Sequence, residues 1–150
     1  MSPSRRPALR LLLVEDDEVD REAVERAVEE AAQLGLEEGF ACQVHHARDG
    51  DEALALLRGG SQAPLPHPCL ILLDIKLPRM GGLEFLACLR ADPDLTDCVV
   101  FVLTTSEKPE DRAGAYRSHV AGYVSKRRVS EAPGALAGLL LAYWRLVDLP

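Results

Sequence analysis

Cys69-Leu70-Ile71-Leu72-Leu73-Asp74 is the strongest strand signal in this 150-residue chain: five apolar residues in a row, ended by a carboxylate. A run without alternation is the pattern of a strand covered on both faces, as parallel sheets require. Residues 11–14, 99–103 and 121–125 read the same way, and residues 41–47 alternate more weakly as a further strand. Helical patterns fall between them. Val19, Ala23, Val24, Ala27, Val28, Ala31 and Leu34 recur at helical spacing, with Gly35 as a stop. Shorter helices are expected over 51–58, 81–90 and 109–118, a loop over 59–68, and a last helix over 133–147. Five strands alternating with five helices give an α/β fold: a doubly wound parallel sheet with right-handed crossovers.

Composition agrees with one ordinary domain. The apolar fraction is 47% and the charged fraction 27%, so wholesale disorder is excluded. The formal charge is −7, which repels phosphate backbones and argues against nucleic-acid binding. That charge is local. Residues 15–30 hold nine acids against two arginines, while the rest of the chain is balanced. The first apolar run stops at once in acidic residues, so it is no export signal, and no segment approaches the roughly 20 apolar residues of a membrane span. Cys42, Cys69, Cys88 and Cys98 form no C-x-x-C pair and read as mostly buried thiols in a reducing cytoplasm. His45, His46, His67 and His119 lack metal-ligand spacing and read as structural or surface residues.

In open α/β sheets the ligand site lies beyond the carboxyl ends of the strands. Here those ends carry Glu15-Asp16-Asp17, Asp74, Thr104 and Lys126. Each has a bland reading as a helix cap, a turn residue or a solvated charge. Together on one rim they make a site. Carboxylates held close need compensation, which a divalent cation supplies, and oxygen ligands suit Mg²⁺. A carboxylate can also accept a phosphoryl group, a reaction that needs positioning and charge neutralisation.

The runs Leu12-Leu13-Val14-Glu15-Asp16-Asp17, Leu72-Leu73-Asp74-Ile75-Lys76-Leu77-Pro78-Arg79-Met80-Gly81-Gly82, Val102-Leu103-Thr104-Thr105-Ser106 and Gly122-Tyr123-Val124-Ser125-Lys126 resemble a response-regulator receiver domain of two-component signalling. Thr104 and Lys126 lie 30 and 52 residues beyond Asp74, the family's spacing. The resemblance covers about residues 8–148. It implies a flavodoxin-like (β/α)5 receiver fold with strand order 2-1-3-4-5, a flexible arm over residues 1–7, and a single receiver over 8–150 with no output domain. It implies Asp74 as phospho-acceptor, with Mg²⁺ held by Glu15, Asp16, Asp74 and the backbone carbonyl of Lys76. Thr104 and Lys126 would meet the phosphoryl group, Thr104 and Tyr123 would form the switch, and Pro78 and Gly82 would shape the loop after Asp74. The implied partner is a histidine kinase in the cytoplasm.

One departure stands out. Arg127 follows Lys126 where the family usually has proline, often after a cis peptide, so either that strain is retained or the following loop is reshaped. Arg127 and Arg128 are then solvated or linked to phosphate. The closing Tyr143-Trp144 and Leu149-Pro150 resemble the small response regulators that accompany bacterial phytochromes. That narrower likeness implies a bacteriophytochrome kinase as partner. The apolar width of the last helix, across Leu136, Leu140, Leu141, Tyr143 and Trp144, points to a homodimer through the C-terminal helix region. Three other functions compete: a phosphorelay intermediate, a phosphorylation-independent interaction module, and a phosphohydrolase using Asp74 as nucleophile. Lys76 counts against the last, since it stands where a second acid is expected.

Overall fold

The computed structural model describes residues 6–60, 63–66 and 69–150. It contains five strands, β1 (Leu9–Val14), β2 (Cys42–Ala47), β3 (Leu70–Leu73), β4 (Val99–Thr104) and β5 (Gly122–Ser125). They form one parallel sheet in the order β2-β1-β3-β4-β5, as expected for the flavodoxin-like arrangement. The helices are α1 (Glu18–Leu34), α2 (Gly50–Arg58), α3 (Gly82–Ala91), α4 (Pro109–Arg117), α5 (Lys126–Glu131) and α6 (Ala135–Leu146), with a 3-10 turn at Leu36–Glu38.

The unbroken apolar runs have the reason given for them. Successive side chains point to opposite faces, and both faces are covered. Leu12, Val14, Ile71, Leu73, Val100 and Val102 pack with Leu54 and Leu57 of α2, Phe85, Leu86 and Leu89 of α3 and Ala115 of α4. Leu11, Leu13, Leu70, Leu72, Phe101 and Leu103 pack with Val24, Ala27 and Ala31 of α1 and Leu136, Leu140 and Leu141 of α6. Val14, Leu73, Val102 and Tyr123 are in register across four strands, so Glu15 and Asp74, one residue on, Thr104, two on, and Lys126, three on, lie toward one rim.

The structure departs from the sequence reading in three places. The stretch after β5 is the short helix α5, capped by Ser125, whose side chain accepts from the Arg128 backbone N–H. Six residues carry too little apolar periodicity to announce themselves as a helix. The stripe of α1 is narrower than its spacing implies: Val19 and Leu34 at its ends are exposed, and only Val24, Ala27 and Ala31 are fully covered. The width of α6, read as a dimer surface, is filled within the chain. Leu136, Leu140, Leu141 and Trp144 are buried, Trp144 meets Phe40 edge-on at 5.4 Å, and Tyr143 meets Phe101 at 5.2 Å.

The proposed N-terminal arm falls mostly on residues 1–5, which lie outside the described residues, as does His67. The next two residues sit against α6: Arg6 donates to the Trp144 carbonyl and the Trp144 indole donates to the Pro7 carbonyl, both at 3.0 Å. Cys69 and Cys98 are buried, whereas Cys42 and Cys88 are half-buried, and all four are free thiols. No helix among the described residues is long and apolar enough to cross a membrane.

Candidate functional site

Four strand ends, those of β1, β3, β4 and β5, build the site. The ladder continues one step past β1 and β3, where the Glu15 N–H donates to the Ala47 carbonyl and the Asp74 N–H donates to the Val14 carbonyl. Both acids are therefore fixed at the backbone and buried at the rim. The acidic run divides its labour. Asp17 caps α1, accepting from the Asp20 N–H at 3.0 Å, so the capping reading holds for that residue of the run. Glu15, Asp16 and Asp74 each offer a carboxylate oxygen, all within 4.8 Å of one another.

Asp74 is 6% exposed and fully engaged. Its Oδ1 accepts from the Thr104 hydroxyl at 2.7 Å and from the Lys76 backbone N–H at 3.1 Å. Its Oδ2 accepts from the Lys126 ammonium at 2.9 Å. Lys126 Nζ also lies 2.7 Å from Glu15 Oε2 and 2.7 Å from Asp20 Oδ2. Burial works against the lysine charge, but hydrogen bonds to Asp20, Glu15 and Asp74 outweigh it and raise its pKa. Burial pushes the Glu15 carboxyl up to about 7, opposed by the Lys126 hydrogen bond and reinforced by the Asp74 charge.

One ammonium thus serves several carboxylates and leaves the rim negative. Oxygen donors alone, close together and under-compensated, fit a hard divalent cation such as Mg²⁺, and Glu15, Asp16 and Asp74 would hold it. When bound it would supply charge neutralisation for an incoming phosphoryl group.

A chain of contacts leads away from Asp74. The Ser106 N–H donates to Thr104 Oγ1 at 3.2 Å, the Ser106 carbonyl accepts from the Tyr123 hydroxyl at 3.0 Å, and the Ser106 hydroxyl donates to Asp111 of α4 at 2.5 Å. The structure therefore brings Glu15, Asp16, Asp74, Thr104 and Lys126 together, and joins Tyr123 to them through Ser106.

Gly82 opens α3 directly beneath the acceptor. A Cβ there would lie 2.5 Å from the Asp74 carbonyl oxygen and 2.7 Å from Ile75 Cα, so glycine is required for the close approach. Asp49 is also buried, caps α2 through the Glu52 N–H and pairs with Arg79. The Glu52 N–H is the main reason its carboxyl is held below the usual range.

Sequence reasoning missed three neighbours. Asp20 reaches Lys126 from the first turn of α1, and its position five residues past Glu15 was the available signal. His46 Nε2 lies 2.6 Å from the Glu15 carbonyl, although its residue type gave no ligand spacing. Ser106 looked like one more hydroxyl in a capping run. The arginine after Lys126 takes the solvated course: the chain continues as α5, and Arg127 pairs with Glu107 at 3.2 Å and Glu131 at 3.3 Å on the surface. Exposed pairs of this kind add little stability.

Comparison with known proteins gives the same frame. Residues 11–132 match the response regulator receiver domain family. The chain is 36% identical over 129 residues to the response regulator Rcp1 of Synechocystis sp., covering 85% of this chain and 83% of that protein. It superposes on the crystal structure of the phosphorylated cyanobacterial phytochrome response regulator RcpA with a TM-score of 0.79 and 33% identity, over 96% of this chain and 99% of that one. The Mn²⁺-bound form of Rcp1 gives a TM-score of 0.73 and 34% identity, over 95% and 99% of the two chains. With that match to most of its length, and with the acid cluster, hydroxyl and ammonium on one rim, the chain belongs to the response regulator receiver domain family of two-component signalling.

Proposed function

We propose that Asp74 accepts a phosphoryl group from a histidine kinase, with Mg²⁺ held by Glu15, Asp16, Asp74 and the Lys76 backbone carbonyl. The observation that carries this reading is the Asp74 carboxylate itself. It is buried and contacted by a hydroxyl, an amide and an ammonium, beside two further carboxylates. Those groups are the ones a phosphoryl oxygen would need once Asp74 is modified. The chain then acts as a switch and not as an enzyme on a separate substrate. Thr104 reports the state of Asp74, Ser106 passes it to Tyr123 and to the first turn of α4, and the face made by α4 and β5 presents it to partners.

The likeness to phytochrome-associated response regulators supports a bacteriophytochrome kinase as the donor, and we assign the exchange to the cytoplasm. The acidic first turns of α1 lie beside the site and are the surface we assign to kinase contact. A homodimer through the C-terminal helix region now rests on the exposed Leu146 and Val147, because the rest of the apolar face is covered.

Phosphotransfer profiling against the kinases of the source organism tests the reading. The expected result is that label leaves the histidine of a phytochrome-type kinase and appears on this chain, faster than from unrelated kinases. If none of the kinases passes label to it, the kinase-fed switch is wrong.

A further inference from the structure

Lys126 carries three ammonium protons and faces three carboxylate partners, Glu15, Asp20 and Asp74. Two of those, Glu15 and Asp74, belong to the cluster able to hold a metal ion, and Asp20 does not. With a cation and a phosphoryl group in the site, Glu15 and Asp74 would be the residues engaged by them. Among the described carboxylate partners of Lys126, Asp20 would be the one left outside the metal and phosphoryl contacts. It reaches Lys126 from a different element, the first turn of α1, and its backbone is pinned there because its N–H donates to the Asp17 cap.

We propose that Asp20 is a positioning residue: it holds the Lys126 ammonium at the distance from Asp74 that phosphoryl transfer requires. The proposal rests on the phospho-acceptor reading of Asp74. In the transfer, an Asp74 oxygen forms a bond to phosphorus while the donor's bond to phosphorus breaks, and the leaving group keeps that electron pair. Negative charge spreads over the phosphoryl oxygens during this step. An ammonium helps only if it is already in place, since preorganised charge costs no rearrangement at the moment of reaction. A lysine side chain is long and flexible, so a fixed carboxylate on its far side supplies what the chain's own rotamers do not.

Two further points favour this role over a simple surface pair. The Asp20–Lys126 distance of 2.7 Å equals the Glu15–Lys126 distance and is shorter than the Asp74–Lys126 distance of 2.9 Å. Lys126 is largely buried while Asp20 is about a third exposed, so Asp20 closes the site from the solvent side.

The test is a double-mutant cycle with a small acyl phosphate and Mg²⁺, read as the phosphorylation rate at saturating donor, below the melting temperature of every variant. Asp20→Asn keeps the shape and removes the charge, and Asp20→Ala removes both. Each is expected to slow phosphorylation by about tenfold in the wild-type background, as a misplaced catalytic group does. In a Lys126→Met background the same changes are expected to alter the rate less than twofold, because the lysine through which they act is gone. Asp20→Glu should recover part of the rate.

A separate readout is independent of phosphorylation. With ¹⁵N-labelled lysine, the Lys126 ammonium should exchange its protons with water faster in Asp20→Asn than in the wild type. Equal exchange, an unchanged rate in Asp20→Asn, or an equal slowing with and without Lys126 would each overturn the proposal. A wild type that takes up no phosphoryl group at all would instead strike at the acceptor reading, leaving the exchange measurement to judge Asp20.

Discussion

Replacing Lys126 with methionine is expected to lower stability by about 3 kcal/mol in EDTA, the scale for removing one member of a buried ion pair. Methionine is unbranched and fills similar space, so packing changes little. The charge is what changes. Glu15 and Asp74 are buried, Asp16 and Asp20 are beside them, and Lys126 is the cation that contacts three of the four. Without it, like charges face one another in a poorly solvated rim. Mg²⁺ should then do in the variant what the lysine does in the wild type. A ligand that binds only the folded state raises stability with its concentration over its Kd. Losing a competing cation should tighten that binding. Urea unfolding with and without Mg²⁺ checks this. The gain from Mg²⁺ is expected to be larger for Lys126→Met than for the wild type. Equal gains would mean that the metal and the lysine do not share these carboxylates.

Gly82→Ala is the second large effect, and it acts through the backbone. The added methyl would lie 2.5 Å from the Asp74 carbonyl oxygen and 2.7 Å from Ile75 Cα, closer than real contacts allow, and neither atom can swing away. The Gly82 N–H already donates to the Ile75 carbonyl at 3.0 Å, so the two segments are tied together. Relief requires moving α3 from the acceptor loop, at a cost of about 3 kcal/mol, the upper part of the overpacking range. For a chain of this size that is a fall in Tm of about 10 °C. Gly81→Ala is the control. A Cβ there meets the Ile75 carbonyl oxygen at 3.7 Å, an ordinary contact, and its φ of −71° suits any residue. Thermal unfolding of the two variants should separate them clearly. A Gly82→Ala protein that melts with Gly81→Ala would show that the acceptor loop gives way easily.

The strands and the rim were legible for one reason. A parallel sheet covered on both faces needs continuous apolar strands, and the polar residue that ends each run is then placed at a common edge. Leu70–Leu73 with Asp74 and Val99–Thr104 show that logic directly. What the sequence hid has equally physical causes. Asp20 looks like every other acid on a charged helix, because its partner lies 106 positions away and only the fold brings Lys126 to it. The helix α5 is short and capped by a serine, with no apolar stripe. The face of α6 looked too wide for one sheet because Phe40 and Phe101, which cover its aromatic end, come from a loop and a strand distant in sequence. Ser106 was hidden because its links run through its backbone as well as its side chain, and backbone hydrogen bonds leave no residue signature.

The central claim is that Asp74 is the residue modified. Incubating the protein with Mg²⁺ and a small acyl phosphate, then locating the added mass by intact-protein and peptide mass spectrometry, tests it most directly. The account predicts one phosphoryl group per chain, mapped to Asp74 and absent from Asp74→Asn. Equal labelling of Asp74→Asn and wild type, or a phosphoryl group mapped to any other residue of the folded wild type, would contradict it.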